Sequence, residues 1–455
     1  MEKTPPGLMD DVGIEALGEG ERRARGGDEA TLKEQPLSLL SDLLRADLGF
    51  HGTNGKFATH GWHPFPAKFP PQLPQFFIEQ LSEPGQTVLD PMLGSGTTLV
   101  EAQRVGRHAI GCDIDPLARL IAAAKLAPVP PIDALQSGRA ALESAQRDYW
   151  TRRKDLEGEL RSRFDGKTRD FLDYWFLPDR QLELLALLRH IEGVENQPMR
   201  QFLQVVFSST IIAKSGGVSL ARDLAHTRPH RVLDKATPSA FAAFEKRLKA
   251  NAVPGCAPSS AVKTEVRAAS ASDTGLSTGS VDLIVTSPPY ANNAIDYMRA
   301  HKFSLVWLGW TLDALTDIRK TYLGHDALAL ESSISLPGRC ETTLARLAEL
   351  DGRKAQVLRR YFCEMSGVLA EMHRVLRSGG SAVVVVGTST LRGMDVETHK
   401  ALEAIAEGLG FASAGIGVRR LDRDKRMMPA RWGDSRQSQI EHRMHEEYAI
   451  GLVKP

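Results

Sequence analysis

The chain has 455 residues, 42% of them hydrophobic, enough for a sizeable core in one large domain or two ordinary ones. Its 57 lysines and arginines nearly cancel 56 aspartates and glutamates, so affinity for a polyanion has to come from local patches and not from bulk charge. The cysteines Cys112, Cys256, Cys340 and Cys363 have no CxxC or Cys/His spacing, which argues against a metal site or a disulfide framework. No apolar run reaches membrane-spanning length, so a cytoplasmic protein without a membrane partner is expected.

Residues 1–45 read as a disordered tail. From Met1 to about Gln35 the chain is rich in Gly, Glu, Arg and Asp with few aromatics, as in Gly18-Glu19-Gly20-Glu21-Arg22-Arg23. Residues 46–131 carry a Pro-rich segment from His63, a helix Leu73 to Leu81, a strand Thr87 to Leu89, a Gly-rich turn, a helix Thr97 to Val105 and a strand His108 to Gly111. This is a βαβ unit and predicts a parallel sheet. Residues 132–261 read as mainly helical, with apolar helices such as Leu182 to Ile191 and Phe202 to Ile212, and end in a Pro/Ser/Ala linker, Pro254 to Ala261. Strands return in residues 262–455, at Val281 to Val285, Ser381 to Val386, Phe411 to Val418 and Glu447 to Val453. The second of these is preceded by a helix and turn, Val368 to Gly380, and the last two are joined by the basic connection Arg419 to Arg443. The pattern predicts a doubly wound, mainly parallel α/β sheet interrupted by a helical insertion, without internal repeats.

Between the first strand and its helix lie Asp90, Pro91, Met92, Gly94, Ser95, Gly96 and Thr97. Glycine lets backbone approach a ligand closely, and the helix N-terminus offers free N–H groups. Leu99 stands where a dinucleotide fingerprint demands its third glycine, and no Gly-Lys-Ser/Thr follows, so NAD and ATP phosphates are disfavoured. Asp113, followed by Ile114, ends the second strand at roughly the spacing where an acid meets ribose hydroxyls in nucleotide folds. A nucleoside lacking pyrophosphate fits, and Asp90 is placed to meet a cationic amine. S-adenosylmethionine carries ribose, adenine and an α-amine together. The bland alternative is a glycine turn with Asp113 as a helix N-cap.

The apolar run Val281-Asp282-Leu283-Ile284-Val285-Thr286 delivers Ser287-Pro288-Pro289-Tyr290 at a strand end. Two prolines remove two donors and fix two φ angles, so the carbonyls beside Ser287 are rigidly aimed and an aromatic ring follows. Such a device suits the exocyclic amine of a planar base; a proline turn closing a core strand is the plain alternative. Arg222, His226, Arg228 and Arg231, and Arg426 within the C-terminal cluster that starts at Arg419 and Arg420, are candidate DNA contacts, although a charge run is more often a solvated face. His301 and Lys302 either line a target channel or are ordinary helix residues beside the core stripe Phe303, Trp307 and Trp310.

Five segments, Gly61 to Pro70, Asp90 to Thr98, Gly111 to Pro116, Thr286 to Tyr290 and Ile295 to Arg299, together resemble the amino-methylating DNA methyltransferases of the cytosine-N4/adenine-N6 family. The resemblance covers about Gly61 to Pro131 and Ser272 to Pro455. It implies the seven-stranded sheet of S-adenosylmethionine-dependent methyltransferases, with the cofactor S-adenosyl-L-methionine held by His63, Pro64, Phe65, Pro66, Lys68 and Phe69 together with the glycine turn. The tetrapeptide Ser287, Pro288, Pro289 and Tyr290 would perform the chemistry on double-stranded DNA, and the insertion would carry target recognition. A cognate restriction endonuclease acting separately is a compatible partner. Two departures stand out: Met92 replaces the family's usual phenylalanine, and where an acid usually faces the adenine, Ser270 aligns with Asp273 nearby as the contact. The serine form of the tetrapeptide accompanies cytosine-N4 methylation more often than adenine-N6, so cytosine is expected and adenine is the alternative. An RNA base methyltransferase and a non-catalytic DNA-binding subunit are further readings. Ring-carbon methylation needs a cysteine after a proline, and none of the four cysteines follows one.

Overall fold

The structure, a computed structural model, describes residues 29–455 except 67, 69, 128, 214–216, 223, 225–228, 255–260, 292–295, 324–333, 388 and 422–445. Its main sheet has strands β1 (Thr87–Asp90), β2 (His108–Cys112), β3 (Thr264–Arg267), β4 (Val281–Thr286), β5 (Leu376–Gly387), β6 (Ala412–Arg420) and β7 (Glu446–Val453). They lie in the order β3-β2-β1-β4-β5-β7-β6. Strands β3, β2, β1, β4 and β5 pair in parallel, and β7 runs antiparallel between β5 and β6.

The central strands are apolar on both sides because helices cover both faces of the sheet. On one face, α1 (Glu29–Leu44), α2 (Gln72–Leu81), α3 (Thr97–Arg104) and α4 (Pro116–Leu126) bury Leu40, Phe77, Val100 and Ala122 against Val88, Leu283, Val285, Val383 and Val385. On the other, α13 (Gly338–Leu350), α14 (Gly352–Val375) and α15 (Thr398–Gly408) pack Leu344, Phe362, Val368 and Leu402 against Ile284, Val384, Val386 and Ile450. Successive residues of β4 therefore serve opposite cores, as a period of two requires.

Between β2 and β3 the chain forms α5 (Pro131–Thr151), α6 (Arg153–Arg163), α7 (Gly166–Trp175), α8 (Pro178–Glu192), α9 (Gln197–Ile211) and α10 (Ala240–Asn251). A two-residue ribbon, Ala221–Arg222 with His230–Arg231, lies among them. These helices share one core with Leu117 and Ile121 of α4 and with Met298 and Phe303 of α11 (Met298–Leu305), which α12 (Leu312–Lys320) follows. Phe303 and Trp307 are buried there and Trp310 packs against them. Among the described residues no helix is long and apolar enough to cross a membrane.

Three features differ from the sequence reading. The segment taken as a tail contains α1, whose Leu40 and Leu44 are buried on β6 and β7; Gly417 and Gly451 leave the room they occupy. Strand β3 carries one apolar residue in Thr264-Glu265-Val266-Arg267 and lies half exposed at the sheet edge, so periodicity does not reveal it. Gly379 and Gly380, expected as a turn, fall inside β5 beside a register shift against β4.

Candidate active site

The C-terminal ends of β1 and β4 lie side by side, with Leu89 opposite Ile284, at the point where the strand order reverses direction; open α/β sheets place ligands in that crevice. Asp90 closes β1 and is 2% exposed. Its Oδ1 accepts from Thr286 Oγ1 at 2.7 Å and from the Met92 amide at 3.1 Å. Burial pushes the Asp90 carboxyl up to about 6, against the pull of the threonine bonds. Thr98 Oγ1 donates to the Val285 carbonyl at 3.2 Å, a second tie between the glycine turn and β4.

In that turn Gly94 (φ 48°) and Gly96 (φ 78°) are left-handed, and a Cβ on Gly96 would stand 2.8 Å from Cβ of Ala122. Lys125, buried in α4, donates to the Ser95 carbonyl at 2.7 Å, and burial holds its ammonium pKa well below the usual range. The Ser95 hydroxyl is buried, lines the cavity and has no hydrogen-bond partner among the described residues. Asp113 after β2 accepts from the Gly94 amide at 3.0 Å and from the Asp115 amide at 2.8 Å. Burial, and then the neighbouring Asp115, raise its carboxyl to about 7.

Asp115 is a site residue that sequence reasoning missed. It is the N-cap of α4, with Oδ1 accepting from the Leu117 and Ala118 amides. Its Oδ2 accepts from His301 Nδ1 at 2.7 Å and from the Tyr322 hydroxyl at 2.6 Å. Burial works to raise its pKa, but the facing His301 and these donors prevail and hold it at about 2. The Asp115-Pro116 pair at a helix start was the available signal, since it matches an N-cap followed by proline at N1. The cap therefore falls on Asp115 and not on Asp113.

One cavity gathers Ser287, Pro288, Pro289 and Tyr290 with Phe65, Lys68, Asp90, Pro91, Met92, Gly94, Ser95, Thr97, Asp113 and Ile114. Phe65 stacks on Tyr297 with ring centroids 5.0 Å apart, forming one wall. The Tyr290 hydroxyl donates to Glu447 at 3.0 Å, and Glu447 pairs with Arg419.

Other expected residues lie elsewhere. Pro64, Pro66 and Gly96 do not line the cavity. His63 is buried against α9, its Nδ1 donating to the Pro64 carbonyl at 2.8 Å and its Nε2 lying 2.9 Å from Ser208 Oγ, so it fastens its motif to the insertion. Asp273 is exposed, and its neighbours Ala269, Ser270 and Ala271 line the cavity in its place. Arg419 is buried and not on a DNA-facing surface. His301 is buried on Asp115, and Lys302 lies 5.3 Å from the Phe171 ring. Arg222 is exposed on the ribbon and Arg231 lies 4.3 Å over Tyr174. Phe69, His226, Arg228 and Arg426 fall outside the described residues.

A seven-stranded sheet of this order, with its crevice between β1 and β4 and acids closing β1 and following β2, is the fold of the S-adenosylmethionine-dependent methyltransferases. A family model described as DNA methylase, of the N6/N4 type, matches residues 46–123. Over 380 residues the chain is 24% identical to the Type II methyltransferase M.MvaI of Kocuria varians, covering 77% of this chain and 81% of that protein. Over 83 residues it is 43% identical to the Type II methyltransferase M.MjaII of Methanocaldococcus jannaschii, covering 18% and 16% of the two chains. A solved TehB-like SAM-dependent methyltransferase of Corynebacterium glutamicum overlaps 84% of this chain and 87% of its own, at 11% identity and a TM-score of 0.27. Residues 46–123 thus match the N6/N4 DNA methylase family model, and along most of its length the chain is similar to a Type II DNA methyltransferase, which together with the fold supports S-adenosyl-L-methionine as the cofactor.

Proposed function

We propose that the protein methylates the exocyclic N4 amine of cytosine at specific sites in double-stranded DNA. The observation that carries this reading is the Thr286 to Asp90 hydrogen bond, which brings the acceptor tetrapeptide and the cofactor turn to one cavity. The residues present suit the cofactor. Asp90 is a buried carboxylate whose partners among the described residues are neutral donors, so it suits a cationic α-amine. The oxygens of Asp113 each accept one backbone amide and keep lone-pair capacity, and a ribose hydroxyl can use it. The unpartnered Ser95 hydroxyl offers a further polar contact, and Ser270 with its neighbours takes the adenine side in place of Asp273. When bound, the cofactor supplies a methyl group made electrophilic by a sulfonium.

An exocyclic ring amine is a poor nucleophile because its lone pair is delocalised. The Ser287 hydroxyl and the Pro288 carbonyl accept its two N–H groups and so orient that lone pair, a catalytic effect of position and local dipoles. Tyr290 and the Tyr297 and Phe65 wall receive a base drawn from the duplex, at an unstacking cost of a few kcal/mol that binding must offset. The insertion, with Arg222 and Arg231 on its ribbon, supplies backbone contacts and site selection. The relatives' Type II names favour a separate cognate restriction endonuclease as companion.

The cytosine preference rests on the serine of the tetrapeptide, and adenine N6 is the other amine this clamp admits. Duplex DNA incubated with labelled S-adenosylmethionine and digested to nucleosides is expected to yield N4-methylcytosine. N6-methyladenine would move the reading to adenine, and label in RNA alone would overturn it.

A further inference from the structure

We propose that Arg299, Lys302 and Arg319 clamp the DNA backbone at the mouth of the acceptor cavity, and that Asp296 is the anion a phosphate displaces there. The inference rests on the reading of the protein as a DNA methyltransferase and adds a contact that the insertion ribbon does not supply.

Asp296 immediately precedes Tyr297, whose ring forms one wall of the cavity. Its carboxylate draws in cations from two helices, Arg299 Nε of α11 at 2.9 Å and Arg319 Nη2 of α12 at 2.5 Å. Both helices border the cavity, since Tyr297 stands just ahead of α11 and Thr321, Tyr322 and Leu323 follow α12. Tyr322 is in turn fixed to Asp115 at the start of α4, which holds the end of α12 against the cavity. Each arginine is thus two residues from a side chain that lines the cavity. Lys302 follows Arg299 by three residues in α11, on the same face of the helix, with its ammonium 5.3 Å over the Phe171 ring.

Charge does not balance at this rim. Other carboxylates of these helices and of α4 are already taken: Asp115 by His301, Asp313 by Lys167 and Asp317 by Lys320. The oxygens of Asp296 are buried, yet neither they nor Arg319 Nε make an aligned hydrogen bond among the described residues. These are close charge pairs and not the two parallel N–H···O bonds of a guanidinium and carboxylate settled as permanent partners. The Arg299 and Arg319 side chains are 43% and 40% exposed, so both remain open to a second anion. An exposed ion pair adds little stability, so fastening α11 to α12 does not call for this surplus of cations. A base drawn from a duplex brings its own backbone to the mouth of the pocket, and the phosphates beside it meet whatever frames that mouth. A phosphodiester presents two free oxygens, which guanidinium groups bind by paired N–H···O bonds and an ammonium binds as a point charge. Asp296 competes with it for the same two arginines.

The test measures binding of the full-length protein to a fluorescein-labelled duplex carrying the sequence that the wild type methylates, from about 50 to 200 mM salt. Arg299→Gln, Lys302→Gln and Arg319→Gln are each expected to shallow the slope of log K against log salt by about 0.9, one phosphate contact, with the cofactor Kd unchanged. Asp296→Asn should act in the opposite sense. With the competing anion gone, the duplex binds about two- to fivefold more tightly at low salt, the size of an exposed ion pair. A carboxylate that merely fastens α11 to α12 gives no such gain. A wild-type slope in any of the three glutamine variants would overturn the clamp, and an Asp296→Asn protein that binds no more tightly than the wild type would overturn the displacement. Arg299→Gln, at the most exposed of the three positions, decides alone if another variant fails to fold. Product analysis of the wild type separates the two ideas: no methylated DNA base defeats the proposed function, whereas methylation with unaltered slopes in the variants defeats only the clamp.

Discussion

The hydroxyl of Thr286 donates to the buried carboxylate of Asp90 at 2.7 Å, joining the last residue of β4 to the last residue of β1. Two motifs nearly 200 residues apart in sequence are thereby held at one distance by a side-chain bond as well as by the sheet. Hydrogen bonds to charged groups contribute about 1.5–3 kcal/mol, so Thr286→Val, which keeps the volume and removes the donor, should weaken cofactor binding by about tenfold or more. Equilibrium dialysis should show this with the DNA affinity unchanged. An unaltered cofactor Kd would mean that the strand pairing alone sets the geometry.

Cofactor binding should depend on pH through the two acids of the cavity. Asp90 titrates at about 6 and Asp113 at about 7, both raised first by burial. A cationic amine needs Asp90 ionised, so the Kd should rise about tenfold for each pH unit below about 6, the slope of one linked proton. Folded-state values above the unfolded ones mean that the free protein loses stability from these groups as pH rises through about 4 to 7, and that a bound cation opposes the loss. Calorimetric titration between pH 5 and 8 checks both signs, and Asp90→Asn should flatten the acid limb.

The sheet was legible wherever strands were central. Val281 to Thr286 is nearly all apolar because both faces are covered, and the turn residues after β1 and β4 are glycines and prolines whose backbone demands show in the sequence. Strand β3 was hidden because an edge strand with Thr264, Glu265 and Arg267 has little apolar content to give a period. Helix α1 was hidden by the polar stretch ahead of it. The residues of the two turns line one cavity, whereas His63 is held against α9, Asp273 is exposed and Arg419, from the basic cluster, is buried on Glu447. Which way a histidine or arginine points depends on what packs beside it, here α9 for His63 and Glu447 for Arg419, and no local pattern encodes that.

Asp115 joins three elements, and its removal should be felt by all of them. Its low pKa, about 2, means that its contribution is complete above the unfolded value and is lost only as pH falls toward 2. Asp115→Asn removes the carboxylate that accepts from His301, Tyr322 and two backbone amides and should cost about 3 kcal/mol, the upper end for buried polar groups left unsatisfied. Tyr322→Phe removes one donor, at about 1 kcal/mol, and should mainly loosen the cavity wall around Thr321 to Leu323. Urea melts of the two variants should therefore differ severalfold in ΔΔG, while cofactor binding weakens in both.

The packing of α1 on β6 and β7 makes Gly451 a sensitive position despite its distance from the cavity. A Cβ there would stand 2.6 Å from Leu44 Cδ1 and 3.0 Å from Leu40 Cγ. Gly451→Ala should destabilise by about 1–3 kcal/mol through overpacking. The same substitution in a chain lacking residues 1–45 should cost less, because the leucines it strikes are gone.

Salt dependence tests the DNA-facing surface. Each neutralised phosphate contributes a slope of about −0.9 to log K against log salt, so losing one contact should shallow the slope by about that much. Arg222 is exposed on the insertion ribbon and Arg231 leans on Tyr174, whose α7 also contacts α11 through Phe171 and Phe303. Arg222→Ala should shallow the slope without changing stability, and Arg231→Ala should also forfeit about 0.5–1 kcal/mol of cation–π contact. Arg420→Ala, on the exposed end of β6, asks whether the C-terminal basic segment shares the duplex. A slope unchanged in all three variants would place the duplex on another face of the protein.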